Sequence, residues 1–278
     1  MRIHSILVAI VGVLIVTSSA QASVTLTGDF ETGDLSQWNY QQYCNDDATV
    51  YSSESAPDWP APVDGSYALR MSVADTHVLL GATMDCAAQS GNPRGQLLGD
   101  RTGPQSLGPG DDKWESWWVQ IPSGFPLVSD RNWFVLQEDY GAPFSGSPPV
   151  AFDIKDNGFG ANRFVMDVCP DGCWAVGTAW WGPAIEPDHW YHFVVHKVFS
   201  TSDTEGTVEL WVDDQPQTFV DGSTSYHTRT LHANCTCTQS DAYRFYLNNY
   251  RADALSPDPV TVYFDGAKIG TSPWDIDF

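Results

Sequence analysis

The sequence is poor in basic residues. Its 278 residues include 13 lysines and arginines against 35 aspartates and glutamates, so the formal net charge at pH 7 is −22. Proteins that bind nucleic acids need a basic surface for the phosphates, and this composition excludes that class. The same acidity argues against a strongly sulfated substrate, because the field of the whole protein would repel it. A local basic groove within the acidic protein is still compatible with these numbers.

Long apolar runs are also scarce. The run over residues 6–16 follows Arg2 and precedes Ala20-Gln21-Ala22, a pattern typical of a secretory signal peptide. It is too short for a membrane span, which needs about 20 residues. We therefore predict a signal peptide over residues 1–22 and one mature domain over residues 23–278. The domain is expected to be extracellular or periplasmic, monomeric and free of the membrane once the signal is cleaved.

Several catalytic motifs are missing. There is no Gly-x-Ser-x-Gly nucleophile elbow, no phosphate-binding glycine loop and no Glu-x-Asp-x-x-Glu pattern of the laminarinase type. Glycoside hydrolysis needs two carboxyl groups that flank one bond. Glu138 and Asp139 are adjacent and point to opposite faces of a strand, so they do not form such a pair.

Helical periodicity is hard to find, since 23 glycines and 18 prolines interrupt the chain too often for long helices. Alternating apolar and polar residues between turn signals predict strands instead. Many such strands favour an all-β fold, a jelly-roll (concanavalin-like) sandwich of two antiparallel sheets. Residues 99–112 and 222–240 are predicted to be long loops. The predicted strands are 66–73, 114–121, 133–140, 150–155, 164–168, 190–199, 207–212, 243–250 and 260–269.

Six cysteines follow the signal segment. An even number in an exported chain suggests disulfides, and six cysteines allow 15 pairings. Cys169–Cys173 is the favoured local pair, because the intervening Pro170-Asp171-Gly172 is typical of a turn. Zinc binding is the alternative, although neither Cys-x3-Cys nor Cys-x-Cys is the usual ligand spacing.

One predicted strand has an unusual polar face. In residues 243–250, period two places three apolar or aromatic side chains on one face and four polar or aromatic ones on the other. A plain solvent face more often carries Lys, Glu, Thr and Ser. Flat rings beside polar groups are suited to binding sugars. The two faces are Tyr243, Phe245 and Leu247, and Arg244, Tyr246, Asn248 and Tyr250.

Neighbouring strands extend this polar face. In residues 133–140, period two places Gln137 and Asp139 on the face of Trp133 and Val135. In residues 150–155, a polar pair opposes the apolar Phe152 and Ile154 in the same way. That polar pair is Asp153 and Lys155.

The chain resembles the heparin lyase I and glucuronan lyase type of polysaccharide lyases in an ordered set of motifs. These are DFETGDLSQW, YALRMSV, GDDKWESWWVQIPSGFP, WFVLQEDYGAP, SGSPPVAFDI, HWYHFVVHKVFS, GTVELWVDD, YRFYLNNYR and VTVYFDGAKIG, over nearly the whole mature chain. The resemblance implies a β-jelly roll with a substrate cleft on one sheet. It also implies β-elimination of a uronic-acid-containing glycan, and often a structural calcium ion.

Three positions match the family's catalytic pattern and three depart from it. Arg94, Gln137 and Tyr250 match, whereas Gln96 stands in place of a glutamate, Asp139 of a histidine and Tyr246 of a lysine. Elimination needs a neutralised substrate carboxylate, a base and an acid. The resemblance implies that Gln137 and Arg94 bind the carboxylate and that Tyr250 acts as base, acid or both, with Asp139 at the fourth catalytic position. The predicted substrate-binding residues are Gln96, Tyr246, Asn248, Arg244, Arg251 and Lys155.

The departure at Asp139 leaves the activity open. A carboxylate beside the substrate carboxylate repels it unless it is protonated. His192 and His196 share a face of the strand 190–199, where they are either a replacement base or an ordinary sheet-facing pair. The protein is thus predicted to be a secreted polysaccharide lyase. The alternatives are a carbohydrate-binding jelly roll that has lost the catalytic histidine and a structural sandwich without a glycan ligand.

A calcium site is the one cofactor predicted. The oxygen-rich turn around Asp29 and Glu31 and the late Asp265 are the candidate ligands, in line with the calcium that the resemblance implies. The alternative is that these are ordinary turn acids in a very acidic protein. No organic cofactor is predicted.

Overall fold

The structure is a computed structural model of the chain. It describes residues 23–81, 83–88, 90–129, 132–141, 146–156, 158, 160–169, 177–237 and 242–278. The predicted signal peptide lies outside the described residues. Among the residues described, no helix is long and apolar enough to cross a membrane.

The described residues form antiparallel strands and two short 3-10 helices. The strands are β1 Val24–Gly28, β2 Tyr40–Gln42, β3 Ala48–Tyr51, β4 Ala68–Val73, β5 Val78–Leu80, β6 Thr83–Asp85, β7 Arg94–Leu98, β8 Asp112–Gln120, β9 Phe134–Tyr140, β10 Val150–Lys155, β11 Arg163–Val168, β12 Gly177–Ala184, β13 Trp190–Val198, β14 Thr207–Val212, β15 Gln215–Pro216, β16 Tyr226–His227, β17 Arg244–Arg251 and β18 Val260–Gly270. The 3-10 helices span Gly103–Gln105 and Pro273–Ile276.

Two sheets pack face to face, which confirms the predicted jelly-roll sandwich. The front sheet has the strand order β12-β11-β10-β9-β17-β7-β2. The back sheet has the order β15-β14-β13-β8-β18-β4-β3, with β1 on β18 and β16 on β14. A small hairpin of β5 and β6 stands apart from both sheets.

The core between the sheets is aromatic. Trp117 of β8 stacks on Phe193 of the neighbouring β13 and meets Phe152 of the front sheet edge-on, with ring centroids 5.4 Å apart in both pairs. All three side chains are at most 2 % exposed. Burying each large apolar side chain contributes about 1.5–3 kcal/mol, and aromatic pairs add about 0.5–1.5 kcal/mol. These inward-facing rings are what the alternating segments of the sequence predict.

Disulfides link segments outside the central strands. Cys44 bonds to Cys86, just after the β5–β6 hairpin, and Cys235 bonds to Cys237. The zinc interpretation is therefore wrong for the Cys-x-Cys pair, whose two sulfurs are joined. The predicted Cys169–Cys173 bond involves Cys173, which lies outside the described residues.

Strand β9 contains an irregularity that changes which side chains face outward. Val135 pairs with Asp153 of β10, whereas Gln137 pairs with the adjacent Phe152, so β9 carries one extra residue at Leu136. Such a bulge breaks the period-two alternation. The expectation that Gln137 and Asp139 share the face of Trp133 and Val135 is therefore wrong.

Candidate functional site

A groove of about 600 Å³ lies on the front sheet, on the face that points away from the core. It crosses six neighbouring strands, from β2 to β11. Aromatic rings and charged groups line it together, as expected of a surface that binds an extended polar ligand. Its chemically distinctive lining residues are Asn92, Arg94, Gln96, Arg101, Trp133, Glu138, Tyr140, Asp153, Lys155, Asp167, Arg244, Tyr246 and Tyr250.

Most of the predicted substrate-binding residues lie in this groove. Gln96, Lys155, Arg244 and Tyr246 line it, as do the predicted catalytic residues Arg94 and Tyr250. Asn248 is fully buried beneath it and accepts a hydrogen bond of 2.9 Å from Gln96 Nε2. The predicted division of the strand 243–250 into a polar-aromatic and an apolar face is thus confirmed.

Besides Asn248, three predicted catalytic or substrate-binding residues do not line the groove. Gln137 and Asp139 are 0 % and 3 % exposed and face the sandwich interior, because the bulge in β9 turns them inward. Arg251 is fully buried, and its guanidinium donates to the carbonyl oxygens of Ser256 and Val73. The structure therefore separates these three side chains from Arg94 and Tyr250.

The inward-facing Asp139 belongs to a buried ion network between the sheets. Lys197 Nζ of the back sheet lies 2.5 Å from Asp139 Oδ2 and 2.8 Å from Glu115 Oε2, and all three side chains are at most 3 % exposed. Gln137 Nε2 lies 3.3 Å from Asp139 Oδ1. Burial, with the neighbouring Asp139, raises the pKa of Glu115 to about 8. Lys197 thus pairs with two carboxyl groups in the core.

Arg94 and Tyr250 form the centre of the groove. The Arg94 guanidinium carbon lies 3.8 Å from the centroid of the Tyr250 ring, and Trp133 meets the same ring edge-on at 4.5 Å. Burial raises the pKa of Tyr250, against the opposing charge of Arg94. The phenol is accordingly protonated near neutral pH and can donate a proton.

Glu138 lies near Arg94 and Tyr250, in the position that the sequence predicted for Asp139. Its side chain is 6 % exposed and lines the groove. Burial raises its pKa to about 7, although the positive charge of Arg94 acts in the opposite direction. A carboxyl group with a pKa near the working pH is suited to acid–base catalysis. No sequence signal identifies Glu138, because its position in the groove depends on the bulge.

Tyr140 and Asp167 are further groove residues that sequence reasoning missed. Burial raises the pKa of Tyr140 to about 12, so its hydroxyl stays protonated. Asp167 of β11 forms an ion pair with Lys155 of the neighbouring strand β10 on the groove floor. The alternation of residues 164–168 places Asp167 opposite Val168 and Met166, which is the signal that would have found it.

The groove holds positive charges next to carboxyl groups, whereas the protein as a whole is strongly acidic. Four of the chain's 13 lysines and arginines line it: Arg94, Arg101, Lys155 and Arg244. The Nε atoms of Arg94 and Arg101 are buried and have no hydrogen-bond partner in the part of the chain that the structure describes. Both arginines line the groove, where their positive charges favour an anionic ligand.

The two histidines considered as a replacement base lie elsewhere. His192 and His196 stack on Trp118 and Trp114 on the outer face of the back sheet, each with ring centroids 4.4 Å apart. This sheet is opposite the groove, so they are the ordinary sheet-facing pair of the two alternatives. None of the described groove-lining residues is a histidine.

The residues proposed for calcium do not fit a metal site. Asp265 accepts the backbone N–H groups of Val63, Asp64 and Gly266, and it is fully buried. Glu31 Oε1 accepts two backbone N–H groups, and Asp29 Oδ1 accepts the Gln37 side chain at 2.7 Å. Within the described residues, the ligand atoms of these three side chains do not come close enough together to share one cation. We derive no step through calcium.

Comparisons with known proteins agree with the fold. The structure is similar to that of endo-beta-1,4-glucuronan lyase from the fungus Trichoderma reesei, with a TM-score of 0.61, 15% sequence identity and coverage of 91% of this chain and 98% of that chain. It is also similar to alginate lyase Aly36B, with a TM-score of 0.50, 13% identity and coverage of 91% and 97%. At these identities the likeness concerns the fold alone.

The family assignment comes from the sequence. No curated protein matches the chain. A family model described as "Polysaccharide lyase" matches residues 30–268, which include every strand from β2 to β17 and the whole groove. The chain belongs to the polysaccharide lyase family.

Proposed function

We propose that the protein is a secreted polysaccharide lyase that cleaves a uronic-acid-containing glycan by β-elimination. The observation that carries the proposal is the grouping of Arg94, Tyr250 and Glu138 in one groove of an otherwise acidic protein. A uronate carboxylate needs a cation, and the described cations of the groove include three arginines. The low sequence identity to solved lyases gives no residue roles, so the roles rest on the geometry of this chain.

Each of the three residues has a distinct part in the proposed reaction. Arg94 offsets the charge of the substrate carboxylate, which makes the proton on C5 more acidic. Glu138 as carboxylate removes that proton, and the C4–O4 bond breaks as the C4–C5 double bond forms. Tyr250 protonates the departing O4, for which its raised pKa keeps the phenol protonated. Proton exchange with solvent then restores Glu138 and Tyr250.

The test is release of the unsaturated product, followed by its ultraviolet absorbance. The substrates are alginate, glucuronan, pectate and glycosaminoglycans, assayed with and without calcium. At least one uronate polymer should yield product. If every polymer is bound but none is cleaved, the protein is a carbohydrate-binding module instead. Absence of both binding and cleavage would support a structural sandwich.

The role of Tyr250 is tested by Tyr250→Phe. Loss of one acid–base group should lower kcat/KM by about 10²–10⁴-fold. The matched control is Tyr263→Phe, which removes a hydroxyl from the back sheet, away from the groove, and should leave kcat/KM within about two-fold. Unchanged activity of Tyr250→Phe would rule out its role as acid while leaving the lyase function intact.

A further inference from the structure

Two buried amide side chains lie next to Glu138 in the floor of the groove. Asn248 of β17 pairs with Gln96 of β7. Tyr246, two residues earlier in β17, pairs with Glu138 of β9. Period two turns Tyr246 and Asn248 to the same face, so Asn248 has Gln96 on one side and Glu138 on the other. Asn248 is 0 % exposed, which leaves it too deeply buried to contact a polysaccharide.

Gln96 fixes the orientation of the Asn248 amide. Gln96 Nε2 donates a hydrogen bond of 2.9 Å to Asn248 Oδ1. The nitrogen of an amide points away from its oxygen, so Asn248 Nδ2 is directed away from Gln96. This nitrogen can only donate, and the acceptor that it meets is the Glu138 carboxyl group.

The contact between Asn248 and Glu138 is looser than an ideal hydrogen bond. Asn248 Nδ2 falls outside ideal hydrogen-bond geometry toward Glu138, and it makes no hydrogen bond to any other described residue. Hydrogen bonds of catalytic groups are often long or poorly aligned before substrate binds and tighten in the complex. Asn248 therefore holds its donor for Glu138 alone.

A donor beside a carboxyl group favours the ionised form of that group. Burial has the largest effect on the pKa of Glu138 and raises it to about 7, whereas the charge of Arg94 and the hydrogen bond from Asn248 lower it. Without Asn248 the carboxylate would be harder to form. The other charged or titratable groups that face Glu138 are Asp139, Tyr140, Asp153, Tyr246 and Tyr250.

We propose that Gln96 and Asn248 are positioning residues for Glu138: Gln96 orients the amide of Asn248, and Asn248 holds the Glu138 carboxylate in place and favours its ionised form. The inference rests on the proposed lyase function, in which Glu138 is the base. Neither amide touches the reacting atoms. A glutamate at position 96 would offer only acceptors and would draw Asn248 Nδ2 away from Glu138, so the amide of Gln96 is the group that this arrangement needs.

The first test is the pH dependence of kcat/KM in Asn248→Leu. Leucine is close to asparagine in size but donates no hydrogen bond. The midpoint of the rise in kcat/KM should move upward by about 0.5–1 pH unit, the contribution of one hydrogen bond. The loss of kcat/KM should accordingly be about three- to ten-fold larger at about pH 6 than at about pH 8.5. An equal loss at both pH values would show a merely structural role and overturn the inference.

The matched control is Asn249→Ala. Asn249 is the next residue of β17 and is also 0 % exposed, but it donates to the carbonyl oxygens of Met71 and Val260 rather than to a groove residue. The variant should unfold at a lower temperature and keep the wild-type midpoint of the pH profile. A midpoint displaced as far as in Asn248→Leu would contradict the inference, because loosening of β17 would then account for the shift.

Gln96→Met tests the step from Gln96 to Asn248. Methionine has a similar length but leaves the Asn248 amide free to turn, so the midpoint should move upward by less than in Asn248→Leu. The double variant should shift no further than Asn248→Leu, since Gln96 acts through Asn248. Additive shifts would overturn the proposed order of contacts. If Asn248→Leu does not fold, an unchanged midpoint in Gln96→Met would overturn the inference.

Titration of Glu138 itself separates this inference from the lyase function. Carbon-13 NMR of the glutamate carboxyl carbons in the whole protein reports their ionisation, and the signal missing from Glu138→Gln identifies Glu138. Its midpoint should be about 7 in the wild-type protein and about 0.5–1 pH unit higher in Asn248→Leu. That shift in a protein that cleaves no glycan would refute the lyase function and leave the positioning of Glu138 standing. An unshifted midpoint in the folded variant would overturn the inference whether or not the protein is a lyase.

Discussion

Replacing Glu138 by glutamine should lower kcat/KM on the cleaved glycan by about 10²–10⁴-fold, the usual contribution of one general base. Glutamine has nearly the same shape but cannot accept the C5 proton. The fold should tolerate the change, because the neutral amide is cheaper to bury than the carboxylate. Thermal unfolding of the variant should therefore occur at or above the wild-type temperature.

The pH profile follows from the raised pKa of Glu138. Burial raises this pKa to about 7, so the fraction of carboxylate increases as the pH rises through 7. A base acts in its deprotonated form, and the kcat/KM of the wild-type protein should therefore rise through about pH 7 and then level off. The residual activity of Glu138→Gln should lack this rise.

A kcat/KM that falls rather than rises with pH would assign Glu138 another role. A protonated Glu138 that donates a hydrogen bond to the substrate carboxyl group would make kcat/KM fall as the pH rises through 7. Glutamine would then retain much of the activity, since its amide also donates. A falling profile together with an active Glu138→Gln protein would therefore show that another residue is the base. Tyr263→Phe again serves as the control for nonspecific effects.

The sandwich was predictable because most of its long strands alternate over most of their length. All nine strands expected from period two occur, with ends displaced by at most two residues. The strands that the sequence did not predict are mostly short, and most of them lie at the sheet edges. Examples are β15 and β16, which have two residues each and therefore carry no periodicity. Edge strands depend on their neighbour for pairing, so the local sequence contains little evidence for them.

The site was predictable only where alternation holds. Arg244, Tyr246 and Tyr250 were placed correctly because β17 keeps its period across the groove. On β9, one extra residue at Leu136 exchanges the faces, so Glu138 lies in the groove and Asp139 lies in the core. A single inserted residue reverses the orientation of every side chain that follows it. Nothing in the composition of residues 133–140 indicates that insertion.

The buried Lys197 should prove the most sensitive charge in the core. Lys197→Met should lower the free energy of unfolding by about 3–5 kcal/mol at pH 7, because it leaves Glu115 and Asp139 buried without their cation. Burial already raises the pKa of Glu115 to about 8. The charge of Lys197 lowers this pKa, so without Lys197 the carboxyl group ionises only at a higher pH, and the loss of stability should grow as the pH rises. Urea unfolding at several pH values measures both effects.

Lys268 provides a matched control for this prediction. It also pairs with two carboxylates, Asp64 at 3.0 Å and Asp277 at 2.6 Å, but Asp64 and Asp277 are 37 % and 76 % exposed. Water screens this surface pair, so Lys268→Met should cost about 1 kcal/mol or less. Combining Lys197→Met with Glu115→Gln and Asp139→Asn should recover much of the lost stability, since the cost lies in the uncompensated charges. If the triple variant were as unstable as Lys197→Met alone, packing of the lysine stem rather than its charge would be the stabilising interaction.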